Sequence, residues 1–403
     1  MKNRNNFLSL VGFELRKNFL SPWMLLFLLV LLALNGLKLQ AEYEKKTEEF
    51  SGISDTYESF YEKWSGAITA DKVTELMTIY GPLDERNASL SLDYTKGSGT
   101  YTDSEYGDYR FFFSQFANEM EYDYLYVNEA IAITQRAQEL AELYGNVGNT
   151  YEVRKNQAIA NAFAGRSIGK FADTRYIEVW LEHDYSSMMV LLLCLFGLCT
   201  VFVMERETEM YMLQRTARLG GGATMAAKLA ASALFMTVVC VLFFGEDFFV
   251  LQLLSGHWEA LSSPAYAIKF FETTPLNMTI GQFVLWSGCV KLLGVMACGC
   301  VILLMSCLCR RVLTTFVASF GCLMVIVVLQ EFCRTRVWLK WFNPMELVMV
   351  RELITETAFV NVFNIPVPLY ILVIVGMLLT MRALMLGILR FNPGRMERRA
   401  GKC

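Results

Sequence analysis

The sequence predicts an all-α polytopic membrane protein with six transmembrane helices and an α-helical extracellular domain inserted between the first and the second. Three observations support this prediction. Of the 403 residues, 54% are apolar and only 19% are charged, which is too apolar for a soluble domain. Six apolar runs are each long enough to cross a bilayer. One long interval, residues 41–184, is polar instead and holds 26 acidic and 13 basic residues.

The boundaries of the predicted segments follow from where charged residues interrupt the apolar runs. The uncharged stretches at 18–37 and 185–204 are each 20 residues long, which matches the hydrocarbon thickness of a bilayer. The predicted segments are a cytoplasmic interfacial helix at 1–17, transmembrane helices at 18–40, 185–204, 229–254, 282–309, 312–332 and 365–389, the extracellular domain at 41–184, a cytoplasmic loop at 205–228, outer loops at 255–281 and 333–364, and a cytoplasmic tail at 390–403.

The N-terminal segment is basic and mildly amphipathic. Phe7, Val11 and Leu15 recur every four residues and share one face, which favours a helix on the inner membrane surface. A signal peptide is the alternative interpretation of the first span. The basic segment is too long for one and no A-x-A site follows, so we interpret the first span as a retained anchor.

The polar interval 41–184 shows mainly helical patterns. Helices are predicted at 42–64, 71–80, 114–144, 152–164 and 168–182. Gly145 and Asn146 are the predicted C-terminal cap of the third of these helices. Residues 81–107 are rich in Gly, Ser, Thr, Asp and Tyr and predict a loop. The interval is long enough for one independent helical core, and none of the 11 cysteines lies in it.

Basic residues in the short flanks of the spans predict the orientation. They concentrate in the N-terminal segment, the 205–228 loop, the junction of the fourth and fifth spans at Arg310 and Arg311, and the C-terminal tail. An even number of spans places all four segments on one face, the predicted cytoplasmic face. Residues 333–351 carry four basic residues on the predicted outer face, but six spans fit every other flank.

The outer loop before the last span has two further features. A short helix is predicted to begin at Pro344, and an apolar stretch at 357–363 precedes Pro366. Together they predict a re-entrant or interfacial hairpin, whose backbone would need neighbouring helices around it inside a bilayer.

Motifs for covalent chemistry and nucleotide hydrolysis are absent from the sequence. The two histidines, His183 and His257, form no HExxH motif, and a histidine-based triad is not expected. No GxxxxGKS/T motif occurs, so we expect neither an enzyme nor a cofactor bound by this chain. Four cysteines between 298 and 309 could form a soft-metal site, but we favour the interpretation that they are small residues at helix contacts.

Several charged residues lie within or at the ends of the predicted spans. Glu246 and Asp247 are about 27 Å along a helix from Lys228, near the outer headgroups. They could belong to a translocation pathway or gate, although we favour solvated carboxylates at a helix end. Lys291, near the outer interface, is expected to snorkel. Arg382 lies in the inner leaflet and is a third pathway candidate, with an interior position and snorkelling equally favoured.

The loop at 205–228 is the longest polar interval between two membrane-length runs near the middle of the chain. It contains no His, Cys or Ser, so it is not equipped for covalent chemistry. Its pattern predicts a short docking helix at 205–218, a flexible glycine break at 220–222 and the entry to the third span.

This arrangement resembles the coupling loop of type V ABC exporters, the ABC type-2 permeases. The residues that match the spacing of that loop are Glu205, Met210, Leu213, Gly220 and Lys228. Gly221 stands where an Arg is expected, and Glu209 stands where a Gly is usual. The opening segment FELRKNFLSP, with Glu14 and Lys17, is also similar to the start of this family.

The resemblance implies a permease subunit without an ATPase of its own, in the cytoplasmic membrane of a bacterium, with both termini in the cytoplasm. Its partners would be an ABC ATP-binding subunit, which would bind the ATP, a second permease copy or sister permease, and membrane lipids, but no nucleic acid. Its cargo would be amphipathic: a peptide antibiotic, a drug or a lipid-like molecule. The implied ATPase-coupling residues are Glu205, Glu209, Met210, Tyr211, Leu213, Gly220, Gly221 and Lys228.

Two other functions stay open from the sequence. The chain could be a membrane-anchored ligand sensor or scaffold, in which the extracellular domain binds a ligand. It could also be a secondary transporter, although neither broken helices with midplane charges nor repeat symmetry is evident. A neighbouring gene for a Walker A protein, or an ATPase that co-purifies with the chain, would favour the exporter.

Overall fold

The structure is a computed structural model that describes residues 2–48, 54–95, 103–210, 221–333, 336–355 and 358–391. Within these residues the protein is mostly helical, and six helices are long and apolar enough to cross a membrane. This confirms the predicted helical class and the six candidate spans. Spans 1 to 6 run over Pro22–Lys46, Arg175–Glu207, Gly222–Ser255, Ile280–Leu308, Val312–Phe332 and Leu369–Phe391.

Spans 2, 3 and 6 differ most from their predicted bounds. Span 2 consists of three consecutive helices, Arg175–Glu182, Tyr185–Leu198 and Thr200–Glu207, so it extends beyond the predicted 185–204 at both ends. Span 3 begins at Gly222 rather than at 229, because the alanine-rich segment before Lys228 is a good helix former. Span 6 begins at Leu369 rather than at 365, because a strand precedes it.

Spans 2, 3 and 4 form the centre of the bundle. In the most apolar window of each helix, 67%, 50% and 56% of these three spans is buried, against 17%, 11% and 22% for spans 1, 5 and 6. Spans 2 and 3 approach closely at Gly197, where an added Cβ would lie 2.8 Å from Phe235 Cε1. The peripheral spans therefore keep broad apolar faces for lipid or for another chain.

The N-terminal helix, Lys2–Asn18, agrees with the helix predicted at 1–17 and packs along span 3. Val11 and Leu15 contact the central core of the bundle, whereas Phe7 is 38% exposed. Immediately after this helix, the Phe19 ring stacks on the Phe235 ring of span 3 with 4.2 Å between centroids. These contacts fix the start of span 1 against span 3.

The polar domain between spans 1 and 2 is helical, as predicted, around a small aromatic core. Its helices are Ser54–Trp64, Ala70–Thr95, Asp103–Phe112, Asn118–Val147 and Thr150–Phe163, with a π-helical turn at Phe113–Ala117. Strand β1, Gly66–Ala67, pairs antiparallel with strand β2, Lys170–Phe171. Trp64 and Phe116 are fully buried and meet edge to face, with 5.0 Å between ring centroids.

Three local predictions for this domain are wrong. Residues 81–95 and 103–107 of the predicted loop at 81–107 are helical, because burial of Tyr80 and Phe111 outweighs weak helix propensity, and residues 96–102 lie outside the described residues. The long helix is capped by Gly148, with a φ of 76°, and not by Gly145 and Asn146. The helix predicted at 168–182 starts only at Arg175, because β2 occupies Lys170–Phe171.

The loop between spans 3 and 4 closes the base of the polar domain. It contains the short 3-10 helices Trp258–Ser262, Ala265–Ala267 and Lys269–Phe271. The hydroxyl of Tyr126 donates to the carbonyl oxygen of Glu272 at 3.1 Å, and Arg166 Nη1 donates to that of Thr274 at 2.9 Å. The domain is therefore attached to this loop as well as to spans 1 and 2.

The loop between spans 5 and 6 combines short helices with a β-hairpin. The helices are Val337–Lys340, Met345–Val348 and Val350–Ile354. The second of them begins directly after Pro344, as predicted. The predicted second arm is instead strand β3, Phe359–Val362, paired antiparallel with strand β4, Ile365–Pro368. Valine-rich strands and a turn with positive φ at Phe363 and Asn364 favour this hairpin.

Candidate functional site

Two groups of candidate residues lie at opposite ends of span 3: those that flank the loop at 205–228, and the carboxylate pair. Lys228 is close to its start, and Glu246 and Asp247 are close to its other end. The separation along the helix is about 27 Å. Each end holds a cluster of charged or polar side chains that joins span 3 to two other helices.

The cluster at the start of span 3 is centred on Glu205, which is 7% exposed in the last turn of span 2. Lys17 Nζ, from the N-terminal helix, lies 2.6 Å from Glu205 Oε1. Lys228 Nζ pairs with the other carboxylate oxygen and donates to the Val201 carbonyl oxygen at 2.9 Å. One carboxylate therefore holds the N-terminal helix, span 2 and span 3 together; Lys17, Glu205 and Lys228 are called the junction cluster below.

Glu14 lies beside the junction cluster and is 2% exposed. Burial raises the pKa of its carboxyl, although Lys228 and Lys17 act in the opposite direction. Asn18 Nδ2 donates to Glu14 Oε2 at 3.0 Å, so the group has a hydrogen-bond partner. The N-terminal helix thus contributes an acid and a base to the same buried place.

The predicted docking helix does not begin at Glu205. The helix that contains Glu205 is the last piece of span 2 and ends at Glu207, and Glu209 has a left-handed φ of 57°. Glu205 belongs to the span because Lys17 and Lys228 bind it from two other helices, so it is not a rim charge for a partner. Tyr211, Leu213 and Gly220 lie outside the described residues.

The two described residues next to that segment are exposed on the loop. Glu209 is exposed, and Met210 has 49% of its surface in contact with solvent. On the other side, Gly221 has φ 90° and ψ −112°, a backbone conformation that glycine adopts far more readily than other residues. Span 3 starts at the next residue, within the predicted glycine break.

Span 2 is interrupted at Cys199, above the junction cluster. The hydroxyl of Ser306, from span 4, accepts hydrogen bonds from the backbone N–H groups of Phe202 at 3.1 Å and Val203 at 3.2 Å. It also donates to the carbonyl oxygen of Cys199 at 2.9 Å. Ser306 therefore replaces helix hydrogen bonds at the break between Leu198 and Thr200. The sequence analysis missed it, because one serine in an apolar span carries no signal.

At the other end of span 3, Asp247 is only 2% exposed, so the favoured interpretation of a solvated helix-end carboxylate is wrong for it. Asn35 Nδ2, from span 1, donates to Asp247 Oδ1 at 2.7 Å and to Glu246 Oε2 at 3.1 Å. His183 Nε2 lies 3.1 Å from Asn35 Oδ1, and His183 Nδ1 lies 2.6 Å from Glu42 Oε2. These five residues, called the polar cluster below, join spans 1, 2 and 3.

The remaining charged candidates behave differently from one another. Lys291 does not snorkel outwards; it is 8% exposed, with its ammonium 5.2 Å from the ring centroids of both Trp180 and Phe244. Arg382 lies on the exposed side of span 6 and is part of neither cluster. Among the described residues, no group of three or more His, Cys, Asp or Glu side chains is arranged to hold a metal ion.

An open cleft of about 210 Å³ lies on the polar domain, between the helix Asn118–Val147 and the loop before span 4. Its walls include the rings of Tyr122 and Tyr126 and three carboxylates, those of Glu121, Glu129 and Glu272. Both tyrosine hydroxyls already donate to backbone carbonyl oxygens of that loop. They therefore join the domain to the loop.

Both clusters thus bring together residues that are far apart in the sequence. Within the part of the chain that the structure describes, Glu205 and Lys228 meet each other, Glu246 and Asp247 meet Asn35, and Arg382 meets neither group. No family model matches the sequence, and no curated protein matches it either.

Proposed function

We propose that this protein is the transmembrane permease subunit of an ATP-driven ABC exporter that moves an amphipathic substrate across the cytoplasmic membrane. A separate subunit hydrolyses the ATP. The observation that supports this most is the junction cluster, in which Glu205 before the loop binds Lys228 after it and Lys17 of the N-terminal helix. The two ends of the loop and this helix form one mechanical unit.

The junction cluster gives the loop a rigid base. A force applied to residues 208–221 reaches spans 2 and 3 together, because Glu205 and Lys228 are paired and largely buried. Breaking such a pair by removing one partner costs about 3–5 kcal/mol, since a buried charge is left uncompensated. The base therefore moves with the loop instead of separating from it.

Span 2 has a joint above this base. The Thr200–Glu207 piece carries Glu205 and meets the Tyr185–Leu198 piece at Cys199, where Ser306 supplies the hydrogen bonds. A tilt of the lower piece can be absorbed at this joint, as is usual where helix hydrogen bonds are replaced by a side chain. Alternating access would arise from this tilt.

The surfaces proposed to contact partner subunits are the exposed loop and the least buried spans. Met210 is half exposed, and Tyr211 and Leu213 follow it in the sequence, so the loop offers apolar side chains to a groove on the ATP-binding subunit. Spans 1 and 5 are the least buried of the six, which leaves faces for a second permease copy or a sister permease, with lipids elsewhere. The basic flanks favour a cytoplasmic position for the loop.

The decisive test is Leu213→Asp in the complex purified with its ATPase. Burial of this leucine is worth about 1.5–3 kcal/mol, so the variant should lose about tenfold or more in affinity for the ATPase. Glu209→Gln is the matched control on the same loop and should retain the ATPase. Full ATPase content and full transport in Leu213→Asp would exclude the loop as the coupling element.

The orientation has its own test. Cysteines introduced at Ser54 or Ser104 should react with a membrane-impermeant thiol reagent in intact cells, whereas one at Ala217 should not. Labelling at position 217 from outside would contradict a cytoplasmic loop.

A further inference from the structure

The polar cluster contains a histidine whose two ring nitrogens both face hydrogen-bond acceptors. The His183 side chain is completely buried. Its Nδ1 is 2.6 Å from the Glu42 carboxylate, and its Nε2 is 3.1 Å from the side chain of Asn35. The number of protons on the ring depends on whether Asn35 presents its amide oxygen or its NH₂ group to Nε2.

The carboxylates of span 3 fix the orientation of the Asn35 amide. Its NH₂ group is 2.7 Å from Asp247 Oδ1 and 3.1 Å from Glu246 Oε2. We take both carboxylates as ionised, in which state they only accept hydrogen bonds. The reverse orientation would place the amide oxygen against two carboxylate oxygens. The NH₂ group therefore faces span 3, and the amide oxygen, an acceptor, faces His183.

Each nitrogen of His183 must then donate a proton. A neutral imidazole has one N–H donor and one acceptor nitrogen, whereas the imidazolium has two donors. Only the imidazolium satisfies both the Glu42 carboxylate and the Asn35 oxygen. We propose that His183 is a proton-binding site inside the span bundle, and that its imidazolium clamps spans 1, 2 and 3 together at neutral pH.

The charges around the ring agree with a bound proton. The charged groups that face the cluster from the packed elements are Lys38, Glu42, Asp184, Glu246, Asp247 and Lys291. Four of these groups are carboxylates and two are ammonium groups. A proton on His183 reduces the excess of negative charge around a completely buried ring.

Loss of this proton would weaken the contacts among the three spans. If Nε2 loses it, Asn35 must turn its NH₂ group towards the ring and away from Asp247 and Glu246. If Nδ1 loses it, a lone pair faces the Glu42 carboxylate. In the first case span 3 is released, whereas in the second the contact between Glu42 and His183 is lost and Asn35 still joins the three spans. The proton is therefore a ligand whose binding strengthens the contacts among these spans at the end next to the polar domain. This inference does not rest on the proposed transport function.

The composition of the chain offers a direct measurement, because His183 and His257 are its two histidines. His257 lies outside the cluster, between Glu58 and Glu259. The full chain carrying His257→Gln, labelled with ¹⁵N-histidine in lipid nanodiscs, reports on His183 alone. We expect two ring nitrogens that each carry a proton at neutral pH, because both face hydrogen-bond acceptors.

A spectrum with one protonated and one bare nitrogen would overturn the proposal. If His257→Gln does not fold, the same signals follow from subtracting the spectrum of His183→Gln from that of the wild type. Asn35→Leu in the His257→Gln background removes the acceptor at Nε2, and we expect one of the two N–H signals to disappear. Gln40→Leu is the control on the same span, because Gln40 is exposed and bonds only to Glu44 among the described contacts; two N–H signals should persist. If Asn35→Leu also keeps both N–H signals, the amide does not set the proton count and the proposal fails.

Discussion

The two ends of span 3 are held by clusters of different chemistry. At one end, Glu205 binds two lysines through ion pairs. At the other end, an amide and an imidazole connect the carboxylates of spans 1 and 3. Histidine changes charge near neutral pH, whereas lysine and glutamate ordinarily do not. The first cluster therefore depends on ion pairs, whereas the second, on our proposal, depends on a proton bound to His183.

Substitutions in the two clusters should destabilise the protein for different reasons. In the junction cluster the loss of Glu205 leaves two ammonium groups facing each other. In the polar cluster the loss of Asn35 removes a donor from the carboxylates of span 3. The following predictions separate these costs, from the largest expected effect to the smallest.

Glu205→Ala should be the most damaging single change in the described contacts of the loop flanks. It leaves the ammonium groups of Lys17 and Lys228 together with no carboxylate between them, at a cost of about 3–5 kcal/mol. Thermal unfolding in detergent or nanodiscs measures the loss, with Glu209→Gln as an exposed control. Equal melting temperatures for the two variants would show that the junction cluster holds nothing together.

Asn35→Leu should destabilise the bundle by about 1–3 kcal/mol, because Asp247 and Glu246 lose a donor in a buried place. Gln40→Leu on the same span should change stability by less than about 0.5 kcal/mol. Melting temperatures at neutral pH test this pair. If both variants have the melting temperature of the wild type, the polar cluster does not stabilise the bundle.

Ser306→Ala tests the joint in span 2. It removes the acceptor for two backbone N–H groups, and the local cost should be about 1–2 kcal/mol, since helix hydrogen bonds can partly re-form. Amide exchange of Phe202 and Val203 should accelerate. Ser319→Ala is the matched control, because Ser319 is a buried serine of span 5 whose hydroxyl makes no hydrogen bond within the described residues. Unchanged exchange in Ser306→Ala would mean that the joint does not depend on this hydroxyl.

The smallest effect concerns Glu14 and pH. Burial raises the pKa of its carboxyl, so folding favours the protonated form more than the unfolded chain does. Its contribution to stability is therefore present below about pH 4.5 and is lost as the pH rises through the raised value. Glu14→Gln should leave the melting temperature unchanged or slightly higher at neutral pH. A marked fall at neutral pH would show that Glu14 acts there as an ionised partner of the lysines.

The spans could be predicted from the sequence, whereas neither cluster could, and the reasons are physical. Long apolar runs report directly on the surrounding lipid, so their number and approximate bounds can be counted. Asn35 and Asp247 are 212 residues apart, and only the packing of spans 1 and 3 brings them together. Asp247 was interpreted as a solvated carboxylate because its position near a helix end says nothing about what packs against it.

Local errors had a similar origin. The segment at 81–95 has residues of weak helix propensity, yet it continues a helix whose Leu76 and Tyr80 are buried in the aromatic core. The sequence predicts an interfacial or re-entrant element before span 6, whereas the strands there are stabilised by the antiparallel pairing of Phe359–Val362 with Ile365–Pro368. In both places a partner distant in sequence decided the local structure.

The hairpin before span 6 also determines how the polar domain can move. Tyr151 donates to the Phe359 carbonyl oxygen at 3.4 Å, and Arg154 Nη1 donates to that of Asn364 at 3.2 Å, so the domain is attached to span 6 as well as to spans 1 and 2. Its longest helix, Asn118–Val147, has 30 residues and measures about 45 Å. Contacts near both ends of this helix, at Tyr126 and at Tyr151, attach the domain to two different loops of the bundle. A relative movement of spans 3 and 6 would therefore pull on the two ends of the domain differently, and a pair of spin labels on the two loops can follow that movement.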